Sequence, residues 1–269
     1  MTKETKTAPI RALKRFENMV FFRDRFSMLH NYLLASENGD STGDKMKKNV
    51  NPSVYQKYNF DALFSASNVL ECLDQINYSI EMLSGYNQRN ALFKNRHDYI
   101  IFMLENFYLR ITSIMDRILR FVNTVFEIGI PDRECKNSTI IKNENVKKTP
   151  LYKILTKMDK FIEQYRPQRN RIAHYEAYSE KELVDLQGYY LLLEHAEEVD
   201  EELESYRRLF KVETDEYVIN KKKELRQISK DLEKMLVVLF QEIFPIVENK
   251  GAKYKVVKNN KTNLNESLE

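Results

Sequence analysis

Apolar residues along this chain recur at spacings of three and four, the mark of helices that bury one face. The longest run is Ile101, Leu104, Tyr108, Ile111, Met115, Ile118, Val122 and Val125. It holds that alternation for about seven turns, and Gly129 and Pro131 stop it. Leu63, Ala66, Leu70, Leu73, Asn77 and Ile80 predict a helix from about Asp61 to Leu83. Leu13, Phe16, Val20, Phe26, Leu29 and Leu33 predict an amphipathic one from about Ile10 to Leu34. Ile154, Leu155, Met158, Phe161 and Ile162 mark a helix over Leu151–Tyr165, and Pro167 forces a break after it, because a proline disfavours the helical region for the residue before it. A further helix is expected from Glu180 to about Phe210. A last one is expected from about Thr214 to Val247, with Leu225, Ile228, Leu232, Leu236, Leu239, Ile243 and Ile246 as its seam.

No stretch carries the alternating pattern of a sheet. The connections are polar: a turn-rich break over Ser36–Gly43 continued by Lys45–Asn51, a loop around Gly85–Arg96, and a long connection over Ile130–Thr149. The expected fold is all-α. Four helices beginning near Asp61, Asp98, Pro150 and Glu180 form a bundle, a short helix after Tyr165 is inserted in it, and N- and C-terminal helices extend it. The corresponding ranges are 1–59 for the first helix and polar loop, 60–210 for the core, 211–249 for the last helix, and 250–269 for a lysine- and asparagine-rich tail expected to be disordered. One domain with additions accounts for the pattern better than two domains.

Composition adjusts this picture only slightly. A hydrophobic content of 42% supports a core, and 31% charged residues with six Gly and six Pro suit long helices. The net charge of +3 is too small to imply nucleic acid by itself, so any electrostatic footprint is local. Cys72 and Cys135 stand far apart in sequence without metal-like spacing and read as reduced thiols. No apolar run is long enough to span a membrane, and Met1–Ile10 lacks the apolar core of a signal peptide, so a cytoplasmic protein is expected.

The densest chemistry lies in Arg166-Pro167-Gln168-Arg169-Asn170-Arg171-Ile172-Ala173-His174-Tyr175. Cations near a helix N-terminus are disfavoured by roughly 0.3–1 kcal/mol each, so local helix stability does not account for Arg169 and Arg171. A docked anion does, since helix N-termini and guanidinium forks both bind phosphate. Asn170 and His174 are four apart and share a face, with Arg169 beside it. Imidazole can take a proton from one oxygen and return one to another near neutral pH. A neighbouring guanidinium can hold the charge that builds on a phosphoryl group. Arg-Asn-x-x-x-His is thus a compact set for cleaving a phosphodiester without a metal. The plain alternative is a helix start with surface arginines and a half-buried histidine.

The run resembles the signature of the HEPN superfamily, small helical proteins many of which are ribonucleases. Their motif is an Arg, usually a polar residue after it, and a His a few positions on. Arg169, Asn170 and His174 match it directly. Glu105 to Arg110, continuing through Asp116-Arg117, is similar to the long helix of one bacterial branch, and the likeness covers roughly residues 60 to 200. The resemblance implies metal-independent RNA cleavage by 2′-OH attack, leaving a 2′,3′-cyclic phosphate. Arg169, Asn170 and His174 would be catalytic. It further implies a homodimer or an assembly of dimers with two motifs facing one cleft, RNA as substrate, an antitoxin or sensor as a possible partner, and no cofactor. Such enzymes commonly act as toxins or antiphage effectors.

Other residues have auxiliary readings. Glu105 would orient His174 and Arg110 would add a phosphate contact, if their lines of the long helix face the motif; Asp116 belongs to the same polar band. The competing account of that band is a solvated face with pairs such as Asp116–Arg120. Arg166 and Arg171 would contact RNA; the lysines of the 130–149 connection would reach an RNA backbone or be simply solvated, and Tyr175 and Tyr178 would pack in the core, as most tyrosines do, or stack on bases. His30, His97 and His195 have no zinc-like spacing, and His195 reads as a surface residue. The acidic stretch Glu194–Glu204 reads as a solvated face. The second functional class is a non-catalytic helical module that binds nucleotide or RNA, or serves as a scaffold for a partner protein.

Overall fold

The computed structural model describes residues 16, 19–36, 46–48, 51–87, 92–195 and 201–266. Ser53 opens the first long helix. Its hydroxyl accepts the Gln56 N–H at 3.2 Å, and the Gln56 side chain accepts the Ser53 N–H at 2.8 Å. This reciprocal pair satisfies two donors that a helix start leaves free. It also explains why the helix begins at Val54, seven residues before the start that apolar spacing alone gives. In chain order, α1 spans Val20–Leu33, α2 Val54–Met82, α3 Arg96–Phe126, α4 Asn137–Ile140, α5 Glu144–Lys147, α6 Leu151–Glu163, α7 Arg166–His174, α8 Lys181–His195 and α9 Glu201–Glu266. The all-α expectation holds. One small ribbon pairs β1 (Leu34–Ser36) with β2 (Met46–Lys48), antiparallel, in the region expected to be loop. Strands of three residues are too short to display a period of two.

The helices fold into two compact units. One draws on Met1–Glu71, Asp116–Lys157 and Met235–Glu269, the other on Cys72–Met115 and Met158–Lys234.

In the first unit, Phe16, Phe21, Phe22, Phe121 and Phe240 form a ring cluster, with Phe21 and Phe22 at 4.9 Å and Phe22 and Phe240 at 5.0 Å between centroids. This cluster sets the rotation of α1. Phe26 and Leu33, read as buried from their spacing, are therefore exposed. Arg25 joins the buried stripe instead, lying 4.5 Å over the Phe21 ring and donating to Glu248 at 2.8 Å. A hydropathy pattern counts an arginine as polar and so misplaces this face. Leu13 lies outside the described residues.

The end of α3 is a Schellman cap. Ile128 N–H donates to the Asn123 carbonyl at 3.1 Å and Glu127 N–H to Thr124 at 3.1 Å, with Glu127 itself in the left-handed region at φ 51°. Gly129, read as the stop, also has a positive φ but lies beyond the cap. The 130–149 connection is folded: a 3₁₀ turn over Asp132–Glu134, then α4 and α5, with Cys135, Ile140, Ile141 and Val146 buried. Elements of one turn are too brief to show periodicity.

Two expectations about the last helices are corrected. No break separates a helix ending at Phe210 from one starting at Thr214, because α9 begins at Glu201 and runs through. Phe210, Thr214 and Val218 are buried at i, i+4 and i+8, in line with Leu225, Ser229, Leu232, Leu236, Leu239, Ile243 and Val247. One stripe implies one helix. Nor is the chain from Lys250 to Glu266 disordered; it continues α9. In the first unit Lys250 donates to the Phe126 carbonyl at 2.6 Å, and the Tyr254 hydroxyl donates to Glu127. Gly251 lets the Tyr55 ring approach so closely that a Cβ there would sit 3.1 Å from it. Composition predicted disorder because these contacts are tertiary.

In the second unit α9 is tied by polar contacts. Arg226 donates to both Glu81 carboxylate oxygens at 2.8 and 2.7 Å, and Ser229 donates to Asn77 at 2.7 Å. Buried His97 donates to the Leu183 carbonyl on α8 at 3.1 Å, a structural role. The side chains of His30 and His195 lie outside the described residues.

Candidate active site

The motif residues sit on α7 in the second unit. Helix α6 ends at Glu163, and the Tyr165 carbonyl accepts the Arg169 N–H at 3.2 Å to start the next helix. Pro167 is its second residue, where a missing N–H costs nothing. Helix α7 buries no residue of its own. It is held by its ends. At the first end, the Tyr165 ring lies 5.8 Å from Phe161 and 6.5 Å from Tyr108, and burial pushes its hydroxyl up to about 12. At the other end the chain is anchored through Tyr178.

Tyr178 is buried and stacks on Tyr108 at 4.9 Å. Its N–H donates to Glu105 at 2.9 Å, and its hydroxyl donates to Glu180 at 3.0 Å. Glu180 also accepts from the Tyr217 hydroxyl and from Lys221 at 2.9 Å, and Lys221 reaches Glu224 at 2.9 Å. Burial, with Tyr108 and Glu180 close by, raises the Tyr178 hydroxyl well above the ordinary tyrosine range, and burial beside Glu180 does the same for Tyr217. Lys221 is raised despite its burial because both carboxylates hydrogen-bond to it. The segment that follows His174 is thereby fixed to α3 and α9.

This anchor assigns two residues. Glu105 was expected to orient His174, and its observed hydrogen bond goes to the Tyr178 backbone instead. Of the two readings of Tyr178, base stacking and core packing, the second holds, since its buried ring stacks on Tyr108. Tyr175 is free for base stacking, being 82% exposed. Sequence reading missed Glu180, Tyr217 and Lys221 altogether. Tyr217 and Lys221 lie one turn apart on α9, but nothing in the sequence signals a meeting with Glu180.

The cations divide sharply. Arg166 pairs with Glu163 at 2.7 Å and approaches Asp159 at 3.7 Å, and Arg171 donates to Glu176 at 2.7 Å. Among the described residues no carboxylate pairs with Arg169, which donates to Asn170 Oδ1 at 3.1 Å. Asn170 thus steadies the guanidinium. The exposed His174 ring contacts Tyr175 edge-on at 6.2 Å and makes no hydrogen bond within the described residues. Half-buried Arg169 and exposed Asn170 and His174 therefore share one short helix, and among the described residues the Arg169 guanidinium has no ion pair and the His174 ring no hydrogen bond.

Arg110 is half-buried, and its guanidinium has no ion pair among the described residues. Asp116 is exposed and belongs to the first unit. The Asp116–Arg120 pair read from spacing is not formed; Arg120 lies 3.9 Å from Asp132. Cys72 and Cys135 are buried thiols and are not disulfide-bonded. The described residues hold no group of three or more His, Cys, Asp or Glu disposed to take a metal ion, and no helix among them is long and apolar enough to cross a membrane. Beside the Tyr178 anchor, a cleft of about 400 Å³ is lined by Glu180, Glu182, Asp185, Glu213, Glu216 and Glu224. Six carboxylates against the one ammonium of Lys221 give the cleft a negative charge.

A family model described as HEPN_Cthe2314-like HEPN matches residues 49–243. No curated protein and no solved structure matches the chain. The matched span runs from just before α2 into α9 and includes the Arg169–Asn170–His174 surface. Together with the all-helical fold, it makes this chain a member of the HEPN superfamily, whose members are usually ribonucleases.

Proposed function

We propose that the chain is a metal-independent endoribonuclease of the HEPN type, acting as a toxin or antiphage effector. The observation that carries this reading is that, among the described residues, Arg169 has no ion pair and His174 no hydrogen bond, on one helix whose other arginines are neutralised. His174 takes the proton of a ribose 2′-OH as that oxygen attacks the adjacent phosphorus. The new P–O2′ bond closes the cyclic phosphate, and the P–O5′ bond breaks. An imidazolium from a second copy returns a proton to the leaving 5′-oxygen. Arg169 stabilises the charge on the phosphorane, and Asn170 orients Arg169. A homodimer supplies both protonation states of histidine at once. Exposed Ala173 and Tyr175 beside His174 suit a partner surface.

The acidic cleft favours a second reading, in which the chain is a non-catalytic module that docks a basic partner such as an antitoxin or a sensor. Incubation with total RNA in excess EDTA, followed by mapping of the ends, separates the two. The ribonuclease yields 2′,3′-cyclic phosphate and 5′-OH termini under these conditions. Intact RNA, or cleavage that requires added magnesium, contradicts it.

A further inference from the structure

We propose that the surface of the first unit between Lys136 and Lys157 binds the phosphodiester backbone of single-stranded RNA. The proposal rests on the ribonuclease reading and adds to it a binding site separate from the motif residues.

The segment folds with its apolar residues inward and its lysines outward. Ile140, Ile141, Val146, Leu151 and Leu155 are buried, while Lys136, Lys142, Lys148, Lys153 and Lys157 are exposed. The nearby acids are each engaged elsewhere. Asp132 lies 3.9 Å from Arg120, Glu134 lies 3.7 Å from Arg133, and Glu144 is bound by Lys147 at 2.8 Å. Among the described residues no carboxylate pairs with the five exposed lysines. Lys153 and Lys157 stand one turn apart on α6, a like-charge pair that weakens a helix. Helix stability is therefore no reason for them. A polyanion is.

Tyr152, next to Lys153 in sequence and 39% exposed, adds a ring that can stack on a base. It is the sole large apolar or aromatic side chain exposed in this segment. A membrane-docking face needs apolar residues to bury in the lipid, and their scarcity favours RNA over an anionic bilayer.

The test compares the wild-type chain with a Lys142→Gln, Lys148→Gln, Lys153→Gln, Lys157→Gln variant and with its Lys→Arg counterpart. The probe is an end-labelled single-stranded oligonucleotide of mixed sequence carrying 2′-O-methyl riboses, which keeps every phosphate but offers no 2′-OH for cleavage. Each lost phosphate contact lowers the slope of log affinity against log salt by about 0.7. The Gln variant is expected to show a slope smaller by about 2–3 and at least tenfold weaker binding near physiological salt, at unchanged thermal stability. The Arg variant is expected to bind like wild type. Wild-type binding with an unchanged slope in the Gln variant overturns this surface and leaves the ribonuclease reading standing. Failure of the wild type to bind RNA overturns both. Retained RNA affinity, together with loss of binding to phosphatidylserine vesicles in the Gln variant, overturns the proposal in favour of a membrane.

Discussion

Arg166 and Arg169 lie three residues apart on α7 in opposite electrostatic situations. Arg166 is neutralised by Glu163 and Asp159, whereas among the described residues Arg169 has no ion pair and donates to the neutral Asn170 side chain. If developing charge on phosphorus is what Arg169 serves, Arg169→Ala should slow cleavage by about 10²–10³ without altering thermal unfolding. Arg166→Ala should leave the rate near wild type and cost about 0–1 kcal/mol of stability, the usual worth of an exposed pair. Equal losses of rate would contradict that division. The anchor behind the motif makes a second prediction, through pH. The Tyr178 and Tyr217 hydroxyls are raised in the folded chain, so they favour folding fully below the unfolded tyrosine value of about 10. That stability is lost as pH rises above it. Titration followed by phenolate absorbance should show tyrosines that ionise only as the chain unfolds. If every tyrosine ionises near 10 with the fold intact, the buried network is wrong.

Helix starts and ends decide much of the architecture, and they were legible to different degrees. Ser53 and Gln56 form a capping box that apolar spacing passes over, though the S-x-x-Q pattern was there to be read. Ser53→Ala should destabilise the chain by about 1 kcal/mol in urea unfolding, and a change near zero would remove the cap from this account. The long runs in α2 and α3 were visible because each turn repeats the same face. The face of α1 was misread because Arg25 is buried under a cation–π contact. The folded 130–149 connection was invisible because one-turn helices carry no period. Of the site, Arg169, Asn170 and His174 were legible as neighbours on one helix. The Glu180–Tyr217–Lys221 anchor was not, since it depends on how distant segments pack. Glu105, read as orienting His174, accepts the Tyr178 N–H instead.

At the level of the whole molecule, the family, the all-helical fold and the helix carrying Arg169 and His174 support the proposal that RNA is cut at α7 by paired copies of His174. Light scattering over a dilution series should find a dimer or an assembly of dimers, and specific activity should fall as the chain dissociates. A monomer cleaving at full specific activity would rule out the composite cleft. The most direct measurement is the single-turnover cleavage rate of His174→Ala, taken beside its thermal stability, assembly state and affinity for uncleavable RNA. Proton transfer by His174 predicts a rate lower by about 10²–10⁴ with the other three properties retained. A well-folded His174→Ala chain that cleaves at near wild-type rate would contradict the account.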